Sequence, residues 1–378
     1  MAMRLVMGNE AVALGAIAAG CDFYAGYPIT PATEIMEEMS RLLPPRGGVF
    51  LQMEDELGAM AAVIGAAWGG ARAMTATSGP GFSLMQENLG YAAMTRTPCV
   101  VVDSQRGGPS TGLPTLPAQA DVMQSRFGSH GDRPAVVLTA SSVRGAYDAT
   151  VRSFALAQRH RLPVVLLLDA VVSHMREPVD LPAPPPPGRR EAQGAKGQGA
   201  PFAPFGEGPP VVVTGLAHGA DGLPHAHSGK ETEQMLRAAQ AQLLADPQLR
   251  DGVQDYRLDD ADVAVVAYGI TARAAREAVD LLREDGVRAG LVDLNVIWPF
   301  PTAQVQTLAR RVHSVVVVEL NLGQMVMPVE AAVAGQASVW SLGRADGELM
   351  APKEIAQAVI RFANGPQKGG LSHAQAGV

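Results

Sequence analysis

The sequence predicts an α/β fold, with a parallel sheet covered by helices on both faces and a second, smaller α/β domain after it. Three observations carry this. Short apolar runs such as PCVVVDS, AVVLTA and LPVVLLLDA recur. They are unbroken rather than alternating, as in strands buried on both faces. Between them lie longer Ala/Gly-rich or amphipathic stretches, the strand–helix alternation of crossover units. This texture stops near residue 176 and resumes at 261.

In chain order, residues 9–19 read as a helix with Asn9 as its N-cap. CDFYAGYP reads as a strand running into a turn. TPATEIMEEMSRLL restarts a helix, with Thr30 at the N-cap and Pro31 at the first helical position. VFLQM is a short strand, EDELGAMAAVIGAAWGG an apolar helix, ARAMTATS a strand and GPGFSLMQENLGYAAM a helix. PCVVVDS is a buried strand that opens into a Gly/Pro/Ser-rich loop over 104–118. The helix SSVRGAYDATVRSFALAQ then sits between the strands AVVLTA and LPVVLLLDA. These elements make a first domain over 1–176.

Residues 177–259 read as a linker. Its 178–247 portion holds 12 of the 28 prolines and includes the polar low-complexity piece GRREAQGAKGQGA, which cannot bury a core. One amphipathic segment in it, ETEQMLRAAQAQLLAD, reads as a helix. His218, His225 and His227 lie here without a carboxylate or Cys at ligand spacing, so they read as solvated loop residues. Residues 260–378 form the second domain: strand DVAVVAYG, helix TARAAREAVDLLRED, strand RAGLVDLNV, helix AQVQTLAR, strand SVVVVEL and a last helix near 352–363. YGITARAA lacks the G-x-G-x-x-G spacing of a dinucleotide turn.

Composition excludes some roles. Net charge is −7 with no dense Lys/Arg run, which argues against a nucleic-acid partner. No apolar stretch reaches the roughly 20 residues of a membrane span. The N-terminus lacks a signal-peptide layout, so a cytoplasmic protein is expected. Cys21 and Cys99 both stand among apolar residues and read as buried thiols. Two cysteines are too few for an iron–sulfur cluster, which takes four thiolates.

Four stretches carry chemistry, each where a strand ends and ligands bind in parallel sheets. In GYPITP, Pro28 and Pro31 restrict Tyr27 and Thr30. The result is either a capped helix start or a Thr30 hydroxyl held rigidly toward a ligand. In QMEDELGAM, Glu54, Asp55 and Glu56 open a helix whose dipole favours acids, yet one carboxylate could enter a cleft. TSGPGFS, with Gly79 and Phe82, is a strand–turn–helix that could bring backbone N–H groups to an anion or a ring edge. In DSQRGGPSTGLPT, Arg106 follows a buried strand and needs a partner, either Asp103 or a bound acid.

GYPITPATE, EDELGAMAAVIGAAWGGARAMTATSGPGFSLMQENLGYA and QRGGPSTGLPT together resemble the α subunit of 2-oxoacid:ferredoxin oxidoreductases, and most closely the 2-oxoglutarate branch. VVVTGLAHGADGLP and LVDLNVIWPFP extend the resemblance over nearly the whole chain except 184–200. The resemblance implies a pyrimidine-binding-type thiamine diphosphate domain plus a transketolase-C-terminal-like domain. It implies a β subunit that supplies Mg2+ and a [4Fe–4S] cluster, in an (αβ)2 heterotetramer serving ferredoxin and coenzyme A. The absence of a GDG…N signature and of a cysteine set here agrees with that division.

By resemblance, Tyr27, Pro28 and Ile29 wall the cofactor, with Gly79 and Phe82 beside it, and Thr30 faces substrate and cofactor. Glu56 matches the glutamate at the pyrimidine ring nitrogen, where a carboxyl favours the tautomer that activates the thiazolium. Arg106 matches the residue that binds the 1-carboxylate, with Ser110 and Thr111 as substrate or coenzyme A contacts. A second carboxylate would need a further donor, for which Arg126, His130 or the β chain are the candidates. A branched-chain or pyruvate oxidoreductase is the near alternative. Two more distant readings stay open. One is a dehydrogenase passing its acyl group to lipoamide, which the Tyr-Pro-Ile-Thr-Pro turn disfavours. The other is a non-catalytic scaffold, which the joint presence of Thr30, Glu56 and Arg106 disfavours.

Overall fold

A computed structural model of the protein describes residues 3–182, 205, 212–218, 223–225, 227, 229–250 and 252–363. The low-complexity stretch at 184–200 lies outside them.

The first part of the chain carries strands β1 (Arg4–Met7), β2 (Phe23–Gly26), β3 (Val49–Gln52), β4 (Ala73–Thr77), β5 (Cys99–Gly107), β6 (Leu113–Pro117), β7 (Val136–Thr139), β8 (Pro163–Asp169) and β9 (Arg176–Val179). The second carries β10 (Val253–Tyr256), β11 (Val263–Ala267), β12 (Ala289–Leu294), β13 (Val296–Trp298), β14 (Ser314–Glu319) and β15 (Ser338–Gly343). The main sheet runs β13-β7-β8-β5-β4-β2-β3, with β6 paired to β5. From β7 to β3 every neighbour is parallel. The second sheet runs β10-β12-β11-β14-β15 and is parallel except for its β10 edge. β1 and β9 form a separate antiparallel ribbon.

The unbroken apolar runs have their expected cause. Successive side chains on a strand point to opposite faces. Val100, Val102, Val164 and Leu166 enter one core with helices Gly8–Ala18, Thr33–Leu42 and Val143–His160. Cys99, Val101, Val165 and Leu167 enter a second core with helices Glu56–Trp68 and Gln86–Met94. This second core continues without a break through Val266, Val317 and helices Thr302–Ala309 and Val326–Val333, so both parts of the chain share it. A third core backs the second sheet with helices Gly269–Glu284 and Pro352–Ala363.

Several expectations are corrected. The helix read from Thr30 begins at Thr33, and Ala32, not Thr30, stands at its cap position. Asn9 lies inside the first turn of Gly8–Ala18, whose cap position is Met7. The loop read over 104–118 is largely a hairpin: β5 continues through Arg106 to Gly107, and β6 returns antiparallel to it. GPGFSLMQENLGYAAM divides into Gly79–Leu84 and Gln86–Met94. β10 arises from the stretch read as linker. β13 leaves the second domain and pairs antiparallel with β7 of the first, Val296 opposite Leu138.

Candidate active site at the carboxyl edge of the main sheet

β5, β4, β2 and β3 are consecutive, parallel neighbours, so the segments after their carboxyl ends must open at one edge. Those segments are the stretches singled out above: the Gly-Tyr-Pro turn after β2, the acids after β3, the glycine turn after β4 and the end of β5 with its arginine.

The turn after β2 is held from two sides. Asn9 is wholly buried, and its Nδ2 donates to Pro31 O at 2.7 Å and to Glu34 Oε2 at 2.8 Å. From the sheet side, Arg106 Nη1 donates to Thr30 O at 2.7 Å. The Thr30–Pro31 peptide is cis. Thr30 itself is exposed, while its carbonyl is tied down. Tyr27 is 39% exposed, and Pro28 and Ile29 are half-buried beside it.

After β3 the three acids separate by role. Glu54 is exposed. Asp55 caps the helix, its Oδ1 accepting from Gly58 N–H at 2.7 Å. That leaves Glu56 in the first turn free of capping duty, 5% exposed and turned inward. Burial raises its carboxyl above the usual range, its own backbone N–H opposes this, Asp55 adds to it and Arg106 opposes it. Glu56 can lie there because Gly81 has no side chain. A Cβ on Gly81 would stand 2.3 Å from Glu56 Oε1 and 2.1 Å from Thr77 Oγ1. Thr77 Oγ1 is buried with no hydrogen-bond partner.

Gly79 opens the same turn at φ +37°, and a Cβ there would lie 3.8 Å from Arg106 Nε. Arg106 is 7% exposed, and its Nε has no partner. Asp103, one of the two partners expected for Arg106, makes no hydrogen bond to it; the guanidinium is anchored by the Thr30 carbonyl instead. Ser110, at φ +58°, and Thr111 sit exposed at the tip of the β5–β6 hairpin.

Phe82 is placed differently from expectation. It is wholly buried in the core beneath the turn, which leaves it no surface for a ligand. Arg126 and His130 are not gathered at this edge. Arg126 donates to Arg133 O, and His130 Nδ1 lies 3.6 Å from Glu87 Oε2. His130 lines a crevice of about 390 Å³ beside helix Gly229–Ala245, and Arg126 lines a neighbouring one on the same helix. Sequence reasoning gave Asn9 only a capping role and did not single out Gly81 within its turn. The signal for Asn9 was a polar residue at the head of an otherwise apolar helix.

The chain's donors suit a flat, polar-edged heterocycle. Glu56 and the orphaned Thr77 hydroxyl meet over bare Gly81. They do not suit an iron–sulfur cluster. Cys21 and Cys99 are both buried, and burial pushes their thiols up, Cys99 to about 12, which opposes the thiolate a cluster needs. Among the described residues no group of three or more His, Cys, Asp or Glu could hold a metal.

The fold, a parallel-sheet domain packed on a second α/β domain, is similar to that of a split-gene transketolase structure, with TM-score 0.59 at 15% identity over 94% of this chain and 97% of that one. Residues 14–243 match the thiamine-diphosphate-binding domain of pyruvate flavodoxin/ferredoxin oxidoreductases, and 261–355 match the pyruvate:ferredoxin oxidoreductase core domain II. The 2-oxoglutarate synthase subunit KorA of Methanothermobacter thermautotrophicus is 47% identical over 94% of this chain and 98% of its own. The ketoisovalerate oxidoreductase subunit VorB of Methanothermobacter marburgensis is 36% identical over 96% and 99%. A 2-oxoglutarate:ferredoxin oxidoreductase structure from Magnetococcus marinus, with 2-oxoglutarate, coenzyme A and succinyl-CoA bound, superposes with TM-score 0.85 at 32% identity. It covers 95% of this chain, which spans 65% of that longer one. The chain belongs to the 2-oxoacid:ferredoxin oxidoreductase family, as an α subunit of its KorA branch.

Proposed function

We propose that this chain is the α subunit of a cytoplasmic 2-oxoglutarate:ferredoxin oxidoreductase. With a β subunit it converts 2-oxoglutarate and coenzyme A reversibly to succinyl-CoA, CO2 and reduced ferredoxin, as an (αβ)2 heterotetramer. The observation that carries this is the pairing at one edge of a buried arginine, tied back by Thr30 O, with a buried carboxyl whose pKa is raised. The higher identity to the KorA relative than to the ketoisovalerate one supports 2-oxoglutarate as substrate.

Thiamine diphosphate, when bound, supplies the carbon nucleophile and electron sink that decarboxylation of a 2-oxoacid requires. This chain would hold its pyrimidine side through Glu56, with Thr77 and the Gly79–Gly81 turn beside it. Glu56, its carboxyl raised above the usual range by burial, can hold or release a proton, the property a general acid–base needs. Arg106 presents a fixed guanidinium fork to the 1-carboxylate. The Thr30 hydroxyl orients the keto group. Tyr27, Pro28 and Ile29 keep water from that side, and Ser110 and Thr111 stand where coenzyme A or substrate passes. The second carboxylate is met by the β chain, since Arg126 and His130 line crevices beside helix Gly229–Ala245. Mg2+ and the [4Fe–4S] cluster belong to the β chain too, given the inert thiols here.

The test is coenzyme-A-dependent reduction of a viologen dye by the oxygen-free complex with its β chain. Preference for 2-oxoglutarate over pyruvate and 2-oxoisovalerate is expected. Preference for either rival moves the substrate. No reduction with any acid, in a complex shown to hold cofactor and cluster, rejects catalysis.

A further inference from the structure

Asp103 and Asp121 lie within electrostatic reach of Arg106, and no step above uses them. Asp103 is on β5, fully buried, opposite Thr77 of β4. Neither of its oxygens makes a hydrogen bond of normal geometry, and Asp121 Oδ2 is also buried without a partner. Gln105 Oε1 accepts the Asp121 N–H at 3.1 Å, drawing Asp121 onto β5. Gln105 is two residues from Asp103 and so shares its face of the strand. Two ionised carboxylates there could only repel, because neither can donate. A proton on one converts the contact into a hydrogen bond from acid to carboxylate. Burial pushes Asp103 well above the usual carboxylate range and Asp121 up to about 6; Arg106 pulls both back.

Other charged groups face this spot. Arg106 is on the same strand, and Glu56 and Asp55 lie across it at the helix start. Asp169 on β8 and, from the second domain, Tyr268 and Glu319 stand on the far side. Asp169 and Glu319 are satisfied by backbone N–H donors, from Val172 and Ile270 and from Met325 and Val326. Asp103 has only Asp121, the Gly79 backbone N–H and Arg106 about it, and Asp121 has Asp103 and Arg106.

We propose that Asp103 and Asp121 share one proton and act as a positioning pair that keeps Arg106 available to the substrate carboxylate. With the proton, the pair carries one negative charge, which steadies the guanidinium without occupying it. Without the proton, two charges compete with the substrate for the same cation. This rests on the reading of Arg106 as the carboxylate fork. It makes substrate affinity pH-linked: KM for the 2-oxoacid rises on the alkaline side, as the last proton leaves.

The test uses the holoenzyme with its β chain. Infrared difference spectra at pH 7 should show an acid carbonyl band in the native protein that is lost in Asp103→Asn. Asn supplies a neutral donor in place of the acid. Asp103→Asn should therefore keep the neutral KM within about threefold and lose the alkaline rise. Asp103→Ala, which leaves Asp121 unpartnered, should raise KM about tenfold at every pH with a smaller change in kcat. An unchanged band overturns the proposal. So does Asp103→Asn that is as impaired as Asp103→Ala, or a KM profile that follows the native one. If no 2-oxoacid is oxidised by any of these proteins, the functional reading fails, and the infrared band still decides the pair.

Discussion

Glu56 and Asp55 are adjacent acids with opposite employment, and the difference lies in where each carboxyl goes. Asp55 closes the helix end; Glu56, spared that role, is buried against Gly81 and Thr77. Glu56→Gln keeps shape and removes the titrating proton. In the assembled enzyme it should lower kcat by about 100-fold or more, the range that acid–base groups contribute. A near-native rate would take Glu56 out of the chemistry. The residue types at this site were legible in the sequence, because Pro, Gly, Arg and clustered acids at strand ends have few other uses. How Thr30 is held was not. It read as a cap, but the helix starts three residues later, and Asn9 and Arg106 pin the turn instead. Those partners are distant in sequence, and local pattern carries no trace of them.

Among the elements, helices Glu56–Trp68 and Gly79–Leu84 depend on each other through a missing side chain. Gly81→Ala places its methyl onto Glu56 Oε1 and Thr77 Oγ1. It should lower activity at least about tenfold while circular dichroism stays native. Gly65, in the interior of Glu56–Trp68, is the control: nothing lies within 4 Å of its added Cβ. Gly65→Ala should raise stability by about 0.5–1 kcal/mol, since it only relieves a flexible helix interior. Equal effects of the two substitutions would contradict the packing described. Most strands were legible because burial on both faces forces unbroken apolar runs. β6 was not, since Leu113–Pro117 carries two prolines in five residues and pairs only at the end of β5. β13 was hidden for another reason: its partner strand belongs to the other domain.

At the scale of the molecule, the two domains are joined by buried polar contacts as well as by the shared core. Gln119 binds Tyr268 O at 2.8 Å and receives Leu320 N–H at 3.1 Å; Ser141 Oγ donates to Asp293 Oδ2 at 3.0 Å. Burial raises Asp293 to about 6, and its Oδ1 has no partner. A carboxyl raised in the folded state adds stability that is full below its unfolded value, near 4, and lost as pH climbs through about 6. The size is about 3 kcal/mol at most, from about two pKa units. Asp293→Asn should therefore raise Tm more at pH 8 than at pH 5; an equal shift at both would deny the burial cost. The central claim spans this architecture: one edge gives Arg106 to the substrate and Glu56 to the cofactor. The most direct measurement is made on Arg106→Ala in the full complex, reading thiamine diphosphate occupancy and KM for 2-oxoglutarate together. The account predicts native occupancy and a KM raised about 100-fold, the loss of one charged pair of about 3 kcal/mol. Lost cofactor with an unchanged KM in the remaining active enzyme would contradict it.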